Sequence, residues 1–190
     1  MGEGDPSETR AADGSSTTGA NDSPASGGSL EQFQRVAREY DVDPQRVEPE
    51  ALPDAIASVI EEPAVGTPLP WEDVSLPEGV QTEPTAADLE RAVTGVTPAS
   101  LAIASYGSLV LRADAYGSEP VSLFNDLHVA VLRETDIVPD MATALEWLGD
   151  ELRETRDSAI IATGPSATAD MGALVQGAHG PKRVEVFVVP

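Results

Sequence analysis

The stretch Thr163-Gly164-Pro165-Ser166-Ala167-Thr168-Ala169-Asp170 sets hydroxyls, a glycine and a carboxylate side by side. It follows an apolar run, Ser158 to Thr163. The residues after it predict a helix from about Thr168 to Gln176, stopped by Gly177 in the usual glycine position. A turn between a strand's carboxyl end and a helix start leaves backbone N–H groups unpaired, and α/β proteins hold anions there. On this reading Gly164 lets the backbone approach a ligand, while Ser166 and Thr168 supply hydroxyls and amides. The plainer reading is a strand-to-helix turn with Thr168 as its cap.

Other chemistry-bearing residues are few. Gly164-Pro165-Ser166-Ala167-Thr168 stops one residue short of the G-x-S-x-G elbow that exposes a nucleophilic serine. A base for Ser166 is missing nearby, because His179 lies beyond the expected helix, whose nine residues would span ~14 Å. Asp170 would fall in that helix's first turn, where it either favours the helix dipole or serves as a ligand-binding carboxylate or general base. His128 enters an apolar strand, as a satisfied core residue or as a site residue at a strand end. His179-Gly180-Pro181 is either a tight turn or part of a site. Two histidines and Asp170 match no standard ligand spacing, so no metal site is expected.

Acidic residues number 33 against 11 basic ones, a formal charge of -22. That balance excludes nucleic acid and anionic membrane as partners, since phosphate binding rests on Lys and Arg. The acids are spread along the chain, which reads as adaptation to a salt-filled cytoplasm, where molar salt shortens the Debye length to ~3 Å. An acidic interaction surface is the alternative. No cysteine is present, so disulfides, thiolate catalysis and a thiolate-held iron–sulfur cluster have no ligands in this chain. No apolar run reaches membrane length and no secretory signal is visible, so the expectation is a cytoplasmic protein with no membrane span.

The elements that must position these residues follow from the apolar pattern. Residues 1–28 read as a disordered acidic tail, and 29–190 as one domain. A first helix is expected from Ser29, with Gln32 in capping-box spacing, a second over Leu52 to Glu61, and a short third over Ala86 to Val93 capped by Thr85. Ser100 to Arg112 predicts two short strands about a Tyr106-Gly107 turn. Leu127 to Arg133 and Ser158 to Thr163 predict strands buried on both faces. Between them Pro139 opens a helix whose buried stripe is Met141, Ala144, Leu145, Leu148 and Leu152. Val184 to Val189 is the last strand. Strand, helix, strand, helix, strand predicts an α/β fold with a mainly parallel sheet, helices on both faces, and helices at the N-terminus.

The residues also carry a resemblance. "TGPSATAD" followed by "GAHGP", with "LAIASYGSLVL", "SLFNDLHVAVL" and "IVPDMATAL" upstream, is similar to the LUD-domain family of the LutC (YkgG) lactate-utilisation type, over about Ala86 to Pro190. The resemblance implies a fold related to the NagB/RpiA/CoA-transferase group. It implies a role in oxidising L-lactate to pyruvate as a subunit of an iron–sulfur system. It further implies that no cofactor belongs to this chain and that the clusters sit on partners of the LutA and LutB type. Thr163, Gly164, Pro165, Ser166, Thr168 and Asp170 fall on one family motif, His179, Gly180 and Pro181 on another, and His128 on the central strand's histidine. The implied ligand is a small carboxylate or nucleotide-like group, with Asp170, His128 and His179 as the catalytic candidates. Alternatives are a stand-alone transferase or isomerase acting on an acyl-CoA or sugar phosphate, and a non-catalytic scaffold module. The chain departs from the family pattern at Ser105-Tyr106, where an acidic and a small polar residue are usual, and at Phe124-Asn125, where Leu-Pro is usual.

Overall fold

The computed structural model describes residues 26–170 and 173–190; the expected acidic tail lies outside them up to residue 25. In chain order the elements are α1 (Ser26–Ala37), β1 (Gln45–Arg46), α2 (Leu52–Val59), β2 (Ala64–Gly66), β3 (Val80–Gln81), α3 (Ala86–Arg91), β4 (Thr94–Pro98), β5 (Leu101–Ile103) and β6 (Ser108–Arg112). There follow α4 (Ser118–Leu123), β7 (Leu127–Arg133), β8 (Ile137–Val138), α5 (Met141–Thr155), β9 (Ala159–Thr163), β10 (Ala167–Asp170), β11 (Ala173–Gln176) and β12 (Arg183–Val189).

A six-stranded sheet in the order β1-β12-β7-β4-β2-β3 forms the centre, and every pair in it is parallel. The expected α/β architecture is therefore present. Strand β7 is buried from Leu127 to Leu132, as its unbroken apolar run requires. Its side chains alternate between two cores. Val129 and Val131 meet Leu52 and Ile56 of α2, while Ala130 and Leu132 meet Leu30 and Phe33 of α1. Each fully covered apolar side chain of this kind contributes ~1.5–3 kcal/mol relative to exposure.

A second sheet, in the order β8-β5-β6-β9, stacks on the α1 side of the first. Its outer face is closed by α5, with Leu101, Ile103 and Val110 against Ala144 and Leu148. The hairpin at Tyr106-Gly107 forms as expected, Leu101 pairing with Val110 and Ile103 with Ser108. Gly107 has φ of +62°, and a Cβ there would meet the Ala37 backbone nitrogen at 2.7 Å, so the turn seats directly on the end of α1.

Several expectations need correction. Where a helix was expected, residues 168–170 and 173–176 are strand, paired antiparallel with Thr168 opposite Val175 and Asp170 opposite Ala173. The β-branched Thr168 and Val175 suit a pleated strand, and Gly177 at φ +76° ends the hairpin rather than a helix. Strand β9 is not buried on both faces: it runs antiparallel to β6 at the rim of the second sheet, with Ile161 exposed. Helix α1 begins at Ser26, which puts Ser29 and Gln32 inside it. Helix α5 begins after Pro139, because the Asp140 carboxylate caps it by accepting from the Thr143 amide at 2.9 Å. On α5, Leu145 faces solvent at 54% exposure. Thr85 and Asp88 do form a reciprocal cap on α3. Helix α4, missed in the sequence, is short and opened by Gly117 at φ +82°.

Candidate functional site

His128, Gly164, Ser166, His179, Gly180 and Pro181 gather at the amino edge of the parallel sheet, whereas Thr168 and Asp170 lie along the separate β10-β11 pair. His128 is the second residue of β7, paired with Gly95 of β4 and Val184 of β12. It is 3% exposed, and its Nε2 lies 2.9 Å from the Thr97 hydroxyl. Burial, which penalises the imidazolium, lowers its pKa to about 4, so the ring is neutral at pH 7.

Across a small hollow from His128 lie Gly164 and Pro181. The hollow measures about 40 Å³ and is walled mainly by apolar groups, including Phe33, Val42 and Leu109. That volume has room for water-sized occupants only. Gly164 has φ of +65°, and a Cβ on it would sit 2.8 Å from the Tyr40 carbonyl oxygen, so the glycine is required by packing against the chain after α1.

The hairpin that replaces the expected helix also changes the geometry of the turn. The Ser166 amide is not free: it donates to the Pro181 carbonyl at 2.8 Å. Its carbonyl accepts from the Gly177 amide at 2.9 Å, and its hydroxyl accepts from the His179 amide at 3.2 Å. His179 is thus carried back beside Ser166 instead of lying a helix length away, but it approaches through its backbone and its side chain is exposed. A Cβ on Gly180 would lie 3.2 Å from the Ser166 Cβ, a close approach of the two motifs. The Thr163 hydroxyl lies 2.6 Å from that of Ser108. Pro165 is half-buried beside Thr163 and Gly164 at the rim of a shallower hollow that includes Glu39 and Asp41. Thr168 and Asp170 are placed by their hairpin pairing, well along a strand rather than at a helix start. Nor does the turn cap a parallel strand, since β9 belongs to the second sheet. Together the motifs interlock as a clip between the hairpin and the start of β12. Just beyond the clip, the Lys182 and Arg183 amides both donate to the Asp126 carbonyl.

A larger hollow, about 500 Å³, opens at the other edge, beyond the carboxyl ends of β2, β4 and β7. Open parallel sheets place ligands on this side. Trp71, Ser100, Arg112, Asp114, Tyr116 and Asp136 line it, and composition alone did not single them out. The available signal was position: Ser100 and Asp136 come two and three residues after the ends of β4 and β7. Asp114 is fully engaged: one oxygen accepts from the Tyr116 and Ser118 amides at 2.9 and 3.0 Å, the other from the Ser118 hydroxyl at 2.5 Å. The buried Thr67 hydroxyl lies 2.8 Å from the same Ser118 oxygen. Arg112 pairs with Glu151 at 2.6 Å and Asp157 at 3.4 Å, while its buried Nε–H has no acceptor. Burial raises the pKa of Asp136 above the ordinary carboxylate value, opposed by a bond with Thr135 and the charge of Arg133.

Among the described residues no group of three or more His, Asp or Glu side chains is placed to hold a metal ion. No helix among them is long and apolar enough to cross a membrane. Ser105 has a buried hydroxyl oxygen without a partner.

Comparison with known proteins agrees with this architecture. A protein from Deinococcus radiodurans named Lactate utilization protein C is 34% identical over 171 residues, covering 84% of this chain and 79% of that protein. Proteins of the same name from Bacillus velezensis and Bacillus subtilis are 31% and 30% identical, and the matched region spans about half of their length, 53% and 52%. A crystal structure of a DUF162 family protein from Deinococcus radiodurans superposes with a TM-score of 0.68 at 25% identity, covering 88% of this chain and 99% of that one. The LUD domain model matches residues 76–189, from β3 to the end of β12, and the chain belongs to the LUD domain family.

Proposed function

We propose that this protein works in lactate utilisation, as a cytoplasmic LutC-like subunit of an iron–sulfur system that oxidises L-lactate to pyruvate. The observation that carries the reading is the 34% identity to Lactate utilization protein C of Deinococcus radiodurans over 84% of the chain. The absence of cysteine fits a division of labour in which partners of the LutA and LutB type hold the clusters, since thiolates are their usual ligands.

The amino-edge geometry favours a subunit over a stand-alone enzyme. A nucleophile needs a base within hydrogen-bonding reach. Ser166 instead accepts from a backbone amide, and His128 is occupied by Thr97 and held neutral. The Gly164–Asp170 turn and its His179-Gly180 partner then serve to fix a surface rather than to react. Contact with a small carboxylate or nucleotide-like ligand at that turn would have to come from outside the clip, where Glu39 and Asp41 oppose an anion.

Deleting the gene in the source organism and comparing growth on L-lactate with growth on pyruvate tests the proposal. Loss on L-lactate alone, restored by the intact gene, is expected. Unchanged growth on L-lactate, with no duplicate gene present, overturns it.

A further inference from the structure

We propose that the crevice at the carboxyl edge of the parallel sheet is a binding site for an uncharged ring compound of nucleoside size. Its position is the one where open α/β sheets expose their loops to a ligand. Its volume, about 500 Å³, lies within the ~300–1,000 Å³ typical of small-molecule sites.

The charges on its walls decide the class of ligand. Arg112 is the cation among the lining residues, and Glu151 and Asp157 already neutralise it. Arg133, which sits over the Trp71 ring at 5.3 Å from the centroid, is spent on Asp73 and on the Pro190 carbonyl. Asp114 and Asp136 add negative charge on the same walls. A phosphate or carboxylate entering here would lose its water and find no free counter-charge. The crevice therefore selects against anions.

The remaining features suit a neutral ring. Trp71, whose ring already carries Arg133, and Tyr116 line the crevice with aromatic surface, and Pro68, Pro70 and Pro98 with rigid apolar surface. Tyr116 is 60% exposed, so its ring is accessible from the crevice. The half-buried Asp136 can accept from a hydroxyl or amine of the same ligand. A nucleoside carries all of these groups without a net charge.

The test uses the full chain with Trp147→Phe, which leaves Trp71 as the single tryptophan reporter. Adenosine, uridine, AMP and L-lactate are titrated in turn at the lowest salt that keeps the chain folded. Saturable quenching of Trp71 by a nucleoside is expected, with AMP at least tenfold weaker and L-lactate silent. Tyr116→Ala, an exposed position that should not disturb folding, should weaken the nucleoside about tenfold through lost stacking. Absence of saturable quenching by both nucleosides, AMP binding as tightly as adenosine, or an unchanged affinity in Tyr116→Ala would each overturn the proposal. None of these outcomes bears on growth on L-lactate, so the two readings fail separately.

Discussion

Acidification should remove stability through His128. In the folded chain its pKa is about 4, against 6.5 for the free side chain, because it is buried beside Thr97 and Gly95. A depressed folded value means that the unfolded chain binds the proton first. The stabilisation tied to the neutral ring is therefore complete above pH 6.5 and is lost progressively as pH falls to about 4. The difference corresponds to about 3 kcal/mol, at about 1.4 kcal/mol per pH unit inside that window. Asp73, Asp88 and Asp140 are held below their ordinary values by hydrogen bonds and so lose stability in acid, whereas Asp136 acts in the opposite direction. A His128→Gln variant isolates the histidine, since glutamine can still meet Thr97 but does not titrate. Urea unfolding of both proteins from pH 8 to pH 4, in constant molar salt, gives the difference between them at each pH. The difference in stability should be flat above pH 7 and should shift against the wild type by about 3 kcal/mol by pH 4. Parallel curves throughout, or an NMR titration of the His128 ring with a midpoint near 6.5, would refute the reasoning.

Three further outcomes follow from the packing and the charge. Phe33→Ala empties a fully buried site between α1 and the two sheets and should cost ~3–5 kcal/mol in urea unfolding; a loss below 1 kcal/mol would contradict the placement of α1. Gly107→Ala puts a Cβ 2.7 Å from the Ala37 nitrogen at a left-handed backbone position, and should cost at least ~1–3 kcal/mol; an unchanged midpoint would count against the seat of the hairpin on α1. With a formal charge of -22, the melting temperature should rise when KCl is raised from 0.1 M to 2 M, as self-repulsion is screened; a fall would argue against the salt-adapted reading of the acids.

Of the central sheet only β7 and β12 were legible as strands; β1, β2, β3 and β4 are two to five residues long or carry Thr, Gly and Pro, so no apolar run marks them. Leu127–Leu132 has no polar interruption except His128, and only a strand covered on both faces accommodates such a run. Thr85 and Asp88 stand at capping spacing and form that cap. The paired strands β10 and β11 were misread for a physical reason: alanine, threonine and glycine next to an aspartate fit a helix start as well as a short strand. Tertiary pairing with Val175 and the Pro181 carbonyl decides between them. That error also misplaced His179, which the hairpin returns to Ser166. The existence of a second sheet was invisible, because β5, β6 and β9 carry the same apolar signal as the parallel strands and direction leaves no mark in composition. The carboxyl-edge crevice was missed because its side chains come from four separate loops, around Trp71, Ser100, Asp114 and Asp136.

The most direct measurement of the central claim is the rate at which washed cells consume L-lactate and release pyruvate, with the gene deleted and with it restored. The account predicts that consumption collapses in the deletion strain, returns with the intact chain, and leaves pyruvate use untouched. L-lactate consumption at the parental rate, in cells that hold no second copy of the gene, would contradict it.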